Sequence, residues 1–366
     1  MAATKSRSAV IPRSLEPMEA RLVAALPSDE GWQYEPKWDG FRCLALRDGA
    51  RIELQARSGK SLSRYFPEVV AAVAALEAQR FVLDGELVIP RGETLSFEAL
   101  QMRLHPAASR IAKLSAATPA TLVLFDMPFG PSGVSQLDRP LHERRATLER
   151  FFAESITAPA RHFVLTPYTR EVKRARKWLE RAGGALDGVV AKRVDGPYVP
   201  GERAMLKVKR LRTADCVVGG YRLGTHSNEV GSLLLGLFNE DGLLDHVGFT
   251  ASIPARERKA LTTRLRKLHG GAGFTGNAPG GPSRWSTERS GEWCPLRAEL
   301  VVEVCYDQVT GQRFRHGTRL LRWRPDKAPH QCTYEQLGRE ARPSRLIAEL
   351  MDPQQGLKSR RKPLTK

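Results

Sequence analysis

Cysteine is scarce in this 366-residue chain, and the five present are odd in number and form no Cys-x-x-Cys pair. That argues against a disulfide framework and against a structural zinc site. Long apolar runs are missing too, so no segment reads as a membrane span. The start, Met1 to Arg13, is polar and basic and lacks the hydrophobic stretch of a secretory signal. A cytoplasmic protein is expected. The eight histidines are scattered without a His-Glu-x-x-His arrangement, and none is assigned a ligand role. Acids are in deficit as well: 40 Asp+Glu stand against 58 Lys+Arg, a net charge of +18. Such an excess calls for a polyanionic partner, and in the absence of apolar runs nucleic acid is preferred over a membrane.

What is present is globular. Hydrophobic residues make up 41% of the chain and charged residues 27%, enough to bury a core. The length exceeds the size at which one core stops growing, so two domains are expected.

The stretch that organises the chain is Glu35-Pro36-Lys37-Trp38-Asp39-Gly40-Phe41-Arg42. It sets a lysine between two carboxylates, adds a glycine that permits a sharp turn, and closes with a second cation. A lysine amine is a poor nucleophile at neutral pH because nearly all of it is protonated. Arg42 favours the neutral amine, whereas Glu35 and Asp39 hold it in place or take its proton. Alone, the stretch reads equally as a solvated charged turn between strands.

From Trp32 the chain alternates in strand fashion, and Arg51 to Gln55 pairs back across Asp48-Gly49, a strong hairpin signal. Lys37 is therefore expected in a loop flanked by strands. A polar loop, Ala56 to Ser63, holds Arg57, either a phosphate ligand or a solvated cation. A helix is expected from Pro67 to about Leu76. Phe81 to Ile89 is an apolar strand interrupted by Asp84 and Glu86, which are either paired, metal-bound or turned out of the core. Thr121 to Asp126 is a strand in which Phe125 is core or a base-stacking platform. Helices are expected at Leu141 to Phe152, with Arg144 and Arg145 on the exposed side, and at Glu171 to Arg181. Met205-Leu206-Lys207-Val208-Lys209 alternates, so Lys207 and Lys209 share one strand face, an arrangement that favours an anion between them. Cys43 and Cys305 lie in apolar runs as small core residues. Beyond Arg212, about five strands and one helix, Pro254 to Leu268, suggest a small closed barrel.

Taken in order, Lys37-x-Asp39-Gly40-x-Arg42, Arg57-Ser58-Gly59, Asp84-Gly85-Glu86, Phe125-Asp126, Asp187-Gly188-Val189-Val190-Ala191-Lys192, Leu206-Lys207-Val208-Lys209 and Arg324-Pro325-Asp326-Lys327 resemble the motif set of ATP-dependent DNA ligases. The resemblance runs from about Pro17 to Lys327 and is to the small bacterial ligase C type. It implies an α+β fold: a nucleotidyltransferase (ATP-grasp-like ligase) domain over 14–211, then an OB-fold β-barrel domain over 212–350. A disordered arm at 1–13 and a basic tail at 351–366 flank them.

The implied reaction seals nicks in double-stranded DNA through a lysyl-AMP intermediate, with ATP and Mg²⁺ or Mn²⁺ as cofactors. Lys37 is then the nucleophile. Glu35, Arg42, Arg57, Glu86, Phe125, Lys207 and Lys209 bind ATP or AMP, Glu86 and Asp187 serve the metal, and Arg324, Asp326 and Lys327 orient the pyrophosphate leaving group. Two positions depart from the family pattern: Asp187 stands where glutamate is usual, and Met205 where tryptophan is frequent. The resemblance further implies a monomer in the bacterial cytoplasm near the nucleoid, acting in DNA repair with repair or end-joining proteins as partners. Because the first motif begins at Glu35, no separate helical DNA-binding domain is expected before it, and DNA affinity is expected from basic faces. An RNA ligase, a guanylyltransferase and a non-catalytic OB-type DNA-binding protein are the alternatives.

Overall fold

The computed structural model describes residues 10–92, 94–156, 162–180, 186–280 and 292–337. The chain divides into two compact units between Arg210 and Leu211.

The first unit is built on two sheets. One runs Ala20–Leu22, Met205–Lys209, Leu186–Arg193, Trp32–Trp38; its first pair is parallel and the others are antiparallel. The other runs Arg51–Ala56, Phe41–Asp48, Arg80–Val88, Thr121–Phe129, Phe163–Leu165. Its hairpin closes at Gly49, whose φ of 63° suits the glycine of the Asp48-Gly49 turn.

Strand alternation makes the second sheet apolar on both faces. Cys43 and Ala45 pack with Phe66, Val69, Phe81 and Phe151, under the helices Pro67–Ala74 and Leu141–Ser155. Leu44 and Leu46 point the other way and join Ile11, Leu15, Met18, Phe129, Tyr198 and Met205. Met205 thus fills an apolar site without the bulk of a tryptophan. Ile11 is buried there, so the expected arm at 1–13 is ordered by its eleventh residue, because an isoleucine finds a core within reach. Residues 1–9 of that arm and the expected basic tail lie outside the described residues. On the first sheet, Tyr34, Val189 and Ala191 pack against Ala175 and Trp178 of the helix Val172–Glu180.

Arg144 and Arg145 are buried, contrary to the exposed placement expected from the helix pattern. Arg144 forks onto Asp126, with Nε to Oδ1 at 2.8 Å and Nη2 to Oδ2 at 3.0 Å, and both side chains are 1% exposed. Arg145 donates to Glu149 and to the Thr166 carbonyl. A helix wheel shows only that a cation is polar; the acid that lets Arg144 enter the core lies on the strand Thr121–Phe129. Replacing Arg144 by methionine leaves the buried Asp126 charge without its guanidinium partner, with only Lys192 nearby and the Met127 N–H bonded to it, and is expected to lower unfolding free energy by about 3 kcal/mol in a urea titration. An unchanged midpoint and slope would mean that the pair adds no stability.

In the second unit five strands run Leu244–Thr250, Val230–Phe238, Arg212–Leu223, Val301–Tyr306, Arg319–Trp323, each antiparallel to the next. A parallel bridge between Thr250 and Thr318 joins the first of these to the last and closes the barrel. Thr318 N–H donates to the Phe249 carbonyl, and Thr250 Oγ1 donates to that of Thr318. The helix Ala255–Arg266 links the third and fourth strands in chain order and plants Leu265 in the core. This connectivity and closure, with one α-helix among the described residues of the unit, are those of an OB-type barrel.

Candidate active site

The first sheet brings most of the expected site residues together. In cross-strand register, Lys37 faces Gly188, which faces Lys209; one step along, Glu35 faces Val190, which faces Lys207. Lys37 therefore sits within the strand Trp32–Trp38 and not in the expected loop, since pairing with Gly188 extends the strand through it. A Cβ on Gly188 would lie 2.0 Å from the Val208 carbonyl oxygen, and its φ is +150°, so only glycine fits between the two lysines. Next to it the register slips between Leu186 and Gly188, making Asp187 the extra residue of a bulge. A bulge re-aims its side chain. Asp187 Oδ2 accordingly takes the Lys37 ammonium at 2.5 Å and that of Lys209 at 3.1 Å.

Lys207 completes a cationic cluster. Burial first, then Lys37, Lys209 and Arg57, hold its ammonium below the ordinary lysine range, and Asp187 offsets part of this. Arg57 itself is exposed and donates to Glu19 at 2.7 Å. Glu35 is buried: Oε2 pairs with Lys192 Nζ at 2.8 Å and Oε1 accepts from Gln33 Nε2 at 2.9 Å.

Asp39-Gly40 carries the chain from this sheet to the second. A Cβ on Gly40 would lie 2.1 Å from the Leu87 carbonyl oxygen, so the glycine is demanded by close approach. Arg42 follows, opposite Glu86. Its Nε and Nη2 fork onto Asp84 at 2.6 Å each, and Nη2 also donates to the Met18 carbonyl. Burial opposes the Arg42 charge, but Asp84 outweighs it and holds the guanidinium more firmly protonated than usual. Phe125 is 8% exposed, with Arg42 at 4.6 Å and Lys192 at 4.7 Å from its ring centroid. It belongs to the core and to the site at once. Its neighbour Asp126 lies against Arg144: burial would raise its pKa, but Arg144, its hydrogen bonds and Lys192 hold it below the usual range.

Burial pushes the Glu86 carboxyl up to about 7, with Lys37 and Arg42 opposing and Asp39 and Asp84 assisting. Lys37 therefore has Asp187 in contact and Glu86 within electrostatic reach. Asp187 Oδ1 is buried and has no hydrogen-bond partner among the described residues. An orphaned carboxylate oxygen on the residue that pairs with Lys37 and Lys209 fits a hard divalent ion. No three His, Cys, Asp or Glu side chains converge among the described residues.

In the barrel unit, Arg324 donates to Asp326 through Nε and Nη2 and to Asp215 through Nη1, and Lys327 Nζ lies 3.3 Å from Asp215. The hydrogen bond from Arg324 holds the Asp326 carboxyl at about 2.

Several participants carried no assignment from sequence. Tyr198 is one: its hydroxyl donates to Asp84 Oδ2 at 2.7 Å and accepts the Met18 N–H. Asp84 and Lys192 lie inside quoted motifs, where the charge alternation was the available signal; Tyr198, Asp215 and the bulge at Asp187 left none.

Residues 17–209 match the family described as ATP dependent DNA ligase domain, and residues 226–327 the one described as ATP dependent DNA ligase C terminal region. DNA ligase C2 of Mycolicibacterium smegmatis is 44% identical over 339 residues, covering 88% of this chain and 94% of that protein. DNA ligase C of Mycobacterium tuberculosis is 43% identical over 339 residues, covering 89% and 94%. Among solved structures, a Lig E DNA ligase resembles the chain with a TM-score of 0.52 at 18% identity, over 86% of this chain and 100% of that one, a likeness of fold. The two matched regions contain the Lys37 and Arg324 motifs respectively, and with relatives at this identity along most of its length the chain belongs to the ATP-dependent DNA ligases and is a DNA ligase.

Proposed function

We propose that this ligase seals nicks in duplex DNA through a lysyl-AMP intermediate on Lys37, in bacterial DNA repair. The observation that carries the reading is the Lys37 amine, set 2.5 Å from Asp187 Oδ2 in a row shared with Lys209. The amine is a nucleophile only without its extra proton, and Asp187 Oδ2 is the acceptor placed to hold or take it. Lys37 attacks the α-phosphate of ATP and pyrophosphate leaves; AMP then passes to the 5′-phosphate of a nick; the 3′-hydroxyl displaces it. Each step is an in-line displacement at phosphorus, so positioning and charge neutralisation do most of the catalysis.

Lys207 and Lys209 neutralise the α-phosphate, Arg42 and Arg57 meet ribose or phosphate oxygens, and Glu35 and Phe125 lie beside the adenine. Asp187 and Glu86 would hold the divalent cation, Mg²⁺ or Mn²⁺, which would supply positive charge against the phosphates. Arg324, Asp326 and Lys327 serve the leaving pyrophosphate. The nucleotidyltransferase domain is the unit that has Ile11 in its core and ends at Arg210, and the OB domain begins at Leu211. The enzyme works as a monomer on nucleoid DNA in the cytoplasm, alongside repair or end-joining proteins.

Labelled ATP supplied with Mg²⁺ tests the reading. A covalent adduct should form with ATP and not with GTP, and on addition of nicked DNA the label should leave the protein as the nick closes. An adduct formed equally from GTP, or one that nicked DNA does not discharge, contradicts it.

Salt separates the two activities. With a net charge of +18, DNA capture is mainly electrostatic and weakens steeply as counterions accumulate. Adenylylation needs no DNA. Nick sealing is therefore expected to be lost at salt concentrations where the lysyl-AMP adduct still forms, and parallel inhibition of both over one salt series would place the sensitivity in ATP binding.

A further inference from the structure

Asp215 belongs to none of the motifs, yet the charged groups of the Arg324 to Lys327 segment are organised by it. It lies in the strand Arg212–Leu223, opposite Glu303. Gln336 clamps its main chain: Asp215 N–H donates to Gln336 Oε1 at 2.9 Å, and Gln336 Nε2 donates to the Asp215 carbonyl at 3.1 Å. The backbone is thus fixed independently of the carboxylate. That carboxylate accepts from Arg324 Nη1 on its two oxygens at 2.9 and 3.0 Å, and Lys327 Nζ approaches Oδ2 at 3.3 Å.

The other edge of the same guanidinium is taken by Asp326. Nε reaches its two oxygens at 2.9 and 3.1 Å, and Nη2 reaches Oδ2 at 2.8 Å. An arginine presents its donors as a planar fork, and here Nη1 serves one carboxylate while Nε and Nη2 serve another. Arg324 therefore bridges two acids. Asp326 is 61% exposed, whereas Asp215 is 12% exposed. The arrangement runs from a fixed, mostly buried acid, through a cation, to an acid presented to solvent.

We propose that Asp215 is a positioning residue for enzyme adenylylation: it orients Asp326 through Arg324 and holds Lys327 directly, so that this pair acts on the pyrophosphate leaving group. The proposal rests on the reading of Asp326 and Lys327 as the leaving-group pair. Arg324 then serves that pair as the link between Asp215 and Asp326.

Asp215→Asn tests it, because the substitution keeps shape and the Gln336 clamp while removing the charge that anchors both cations. Self-adenylylation and sealing of nicked DNA that already carries a 5′-AMP are measured side by side, with thermal unfolding. The kcat/KM for ATP should fall about 10- to 100-fold, as expected for misplaced positioning groups. Sealing of the pre-adenylylated nick should stay within about twofold, the unfolding midpoint should hold, and Asp215→Glu should recover part of the lost rate. The double variant Asp326→Ala/Lys327→Ala is run in parallel. If it is crippled in adenylylation while Asp215→Asn is as fast as the native enzyme or faster, the role given to Asp215 is wrong and the leaving-group reading stands. Loss of both activities by Asp215→Asn with a lowered midpoint also overturns the proposal, in favour of a structural role. Normal adenylylation by the double variant removes the leaving-group reading itself, and the proposal with it.

Discussion

Lys37→Ala is expected to abolish formation of the AMP adduct, a loss on the order of 10⁴-fold or more, because it removes the nucleophile of the first covalent step. The fold should survive. Lys37 is at the surface end of its ion pair, and Asp187 keeps Lys209 as a partner at 3.1 Å. Lys37→Arg should fail as completely, since a guanidinium stays protonated and cannot attack phosphorus. The measurement is transfer of label from ATP to protein, read beside circular dichroism. Adduct formation at the native rate by either variant would sink the assignment. If Lys37→Ala sealed pre-adenylylated nicks while remaining unlabelled by ATP, the defect would be confined to the step in which the amine reacts.

The second large effect is expected at Glu86, where function and stability oppose one another. Its carboxyl is pushed from an ordinary 4.5 up to about 7, with burial the largest cause. Between those values the native protein binds more protons here than the unfolded chain, so the Glu86 contribution to stability falls as pH rises through the window. Above it, the ionised group destabilises the fold by its full amount. Glu86→Gln removes that charge and should stabilise the protein at pH 8 by on the order of 1–3 kcal/mol, with the gain vanishing below about pH 4.5. The same substitution removes a proposed ligand for the cation and for ATP, and adenylylation should drop about 100-fold or more. Urea titrations at pH 8 and pH 5 with a labelling assay decide it. A variant less stable than the native enzyme at pH 8 would show that Glu86 is a net structural contributor and not a strained functional acid.

Local pattern carried much of the site and almost none of its partnerships. The two-residue period of Met205 to Lys209 puts Lys207 and Lys209 on one face, and the structure sets Lys209 across Gly188 from Lys37 and Lys207 across Val190 from Glu35. The Asp48-Gly49 turn, the strand around Asp84 and the helix from Leu141 follow from equally local rules. Other features depend on who meets whom across long stretches of chain. Tyr198 reaches Asp84 over 114 positions, and Arg324 reaches Asp215 over 109. No spacing rule connects them. Arg144 was misplaced for the same reason: eighteen residues separate it from the acid that draws it inward. The bulge at Asp187 is subtler still, since one extra residue in a strand is invisible until its partner strand fixes the register. That bulge is also what gives an aspartate the direction it needs to reach Lys37 despite its short side chain. The short helices Phe97–Arg103 and Ala108–Ala117 were not foreseen, because each buries too few apolar residues to make a readable stripe.

The central claim is that one amine, on Lys37, carries AMP between ATP and DNA. Peptide mapping of the enzyme after reaction with ATP and Mg²⁺, by mass spectrometry under conditions that preserve the phosphoramidate, tests it most directly. The AMP mass should appear on the single peptide that contains Glu35 to Arg42, with fragmentation placing it on Lys37, and it should disappear when nicked DNA is added. AMP on Lys207, on Lys209 or on any other residue, or nick sealing without a modified Lys37 peptide at any time, would contradict the account.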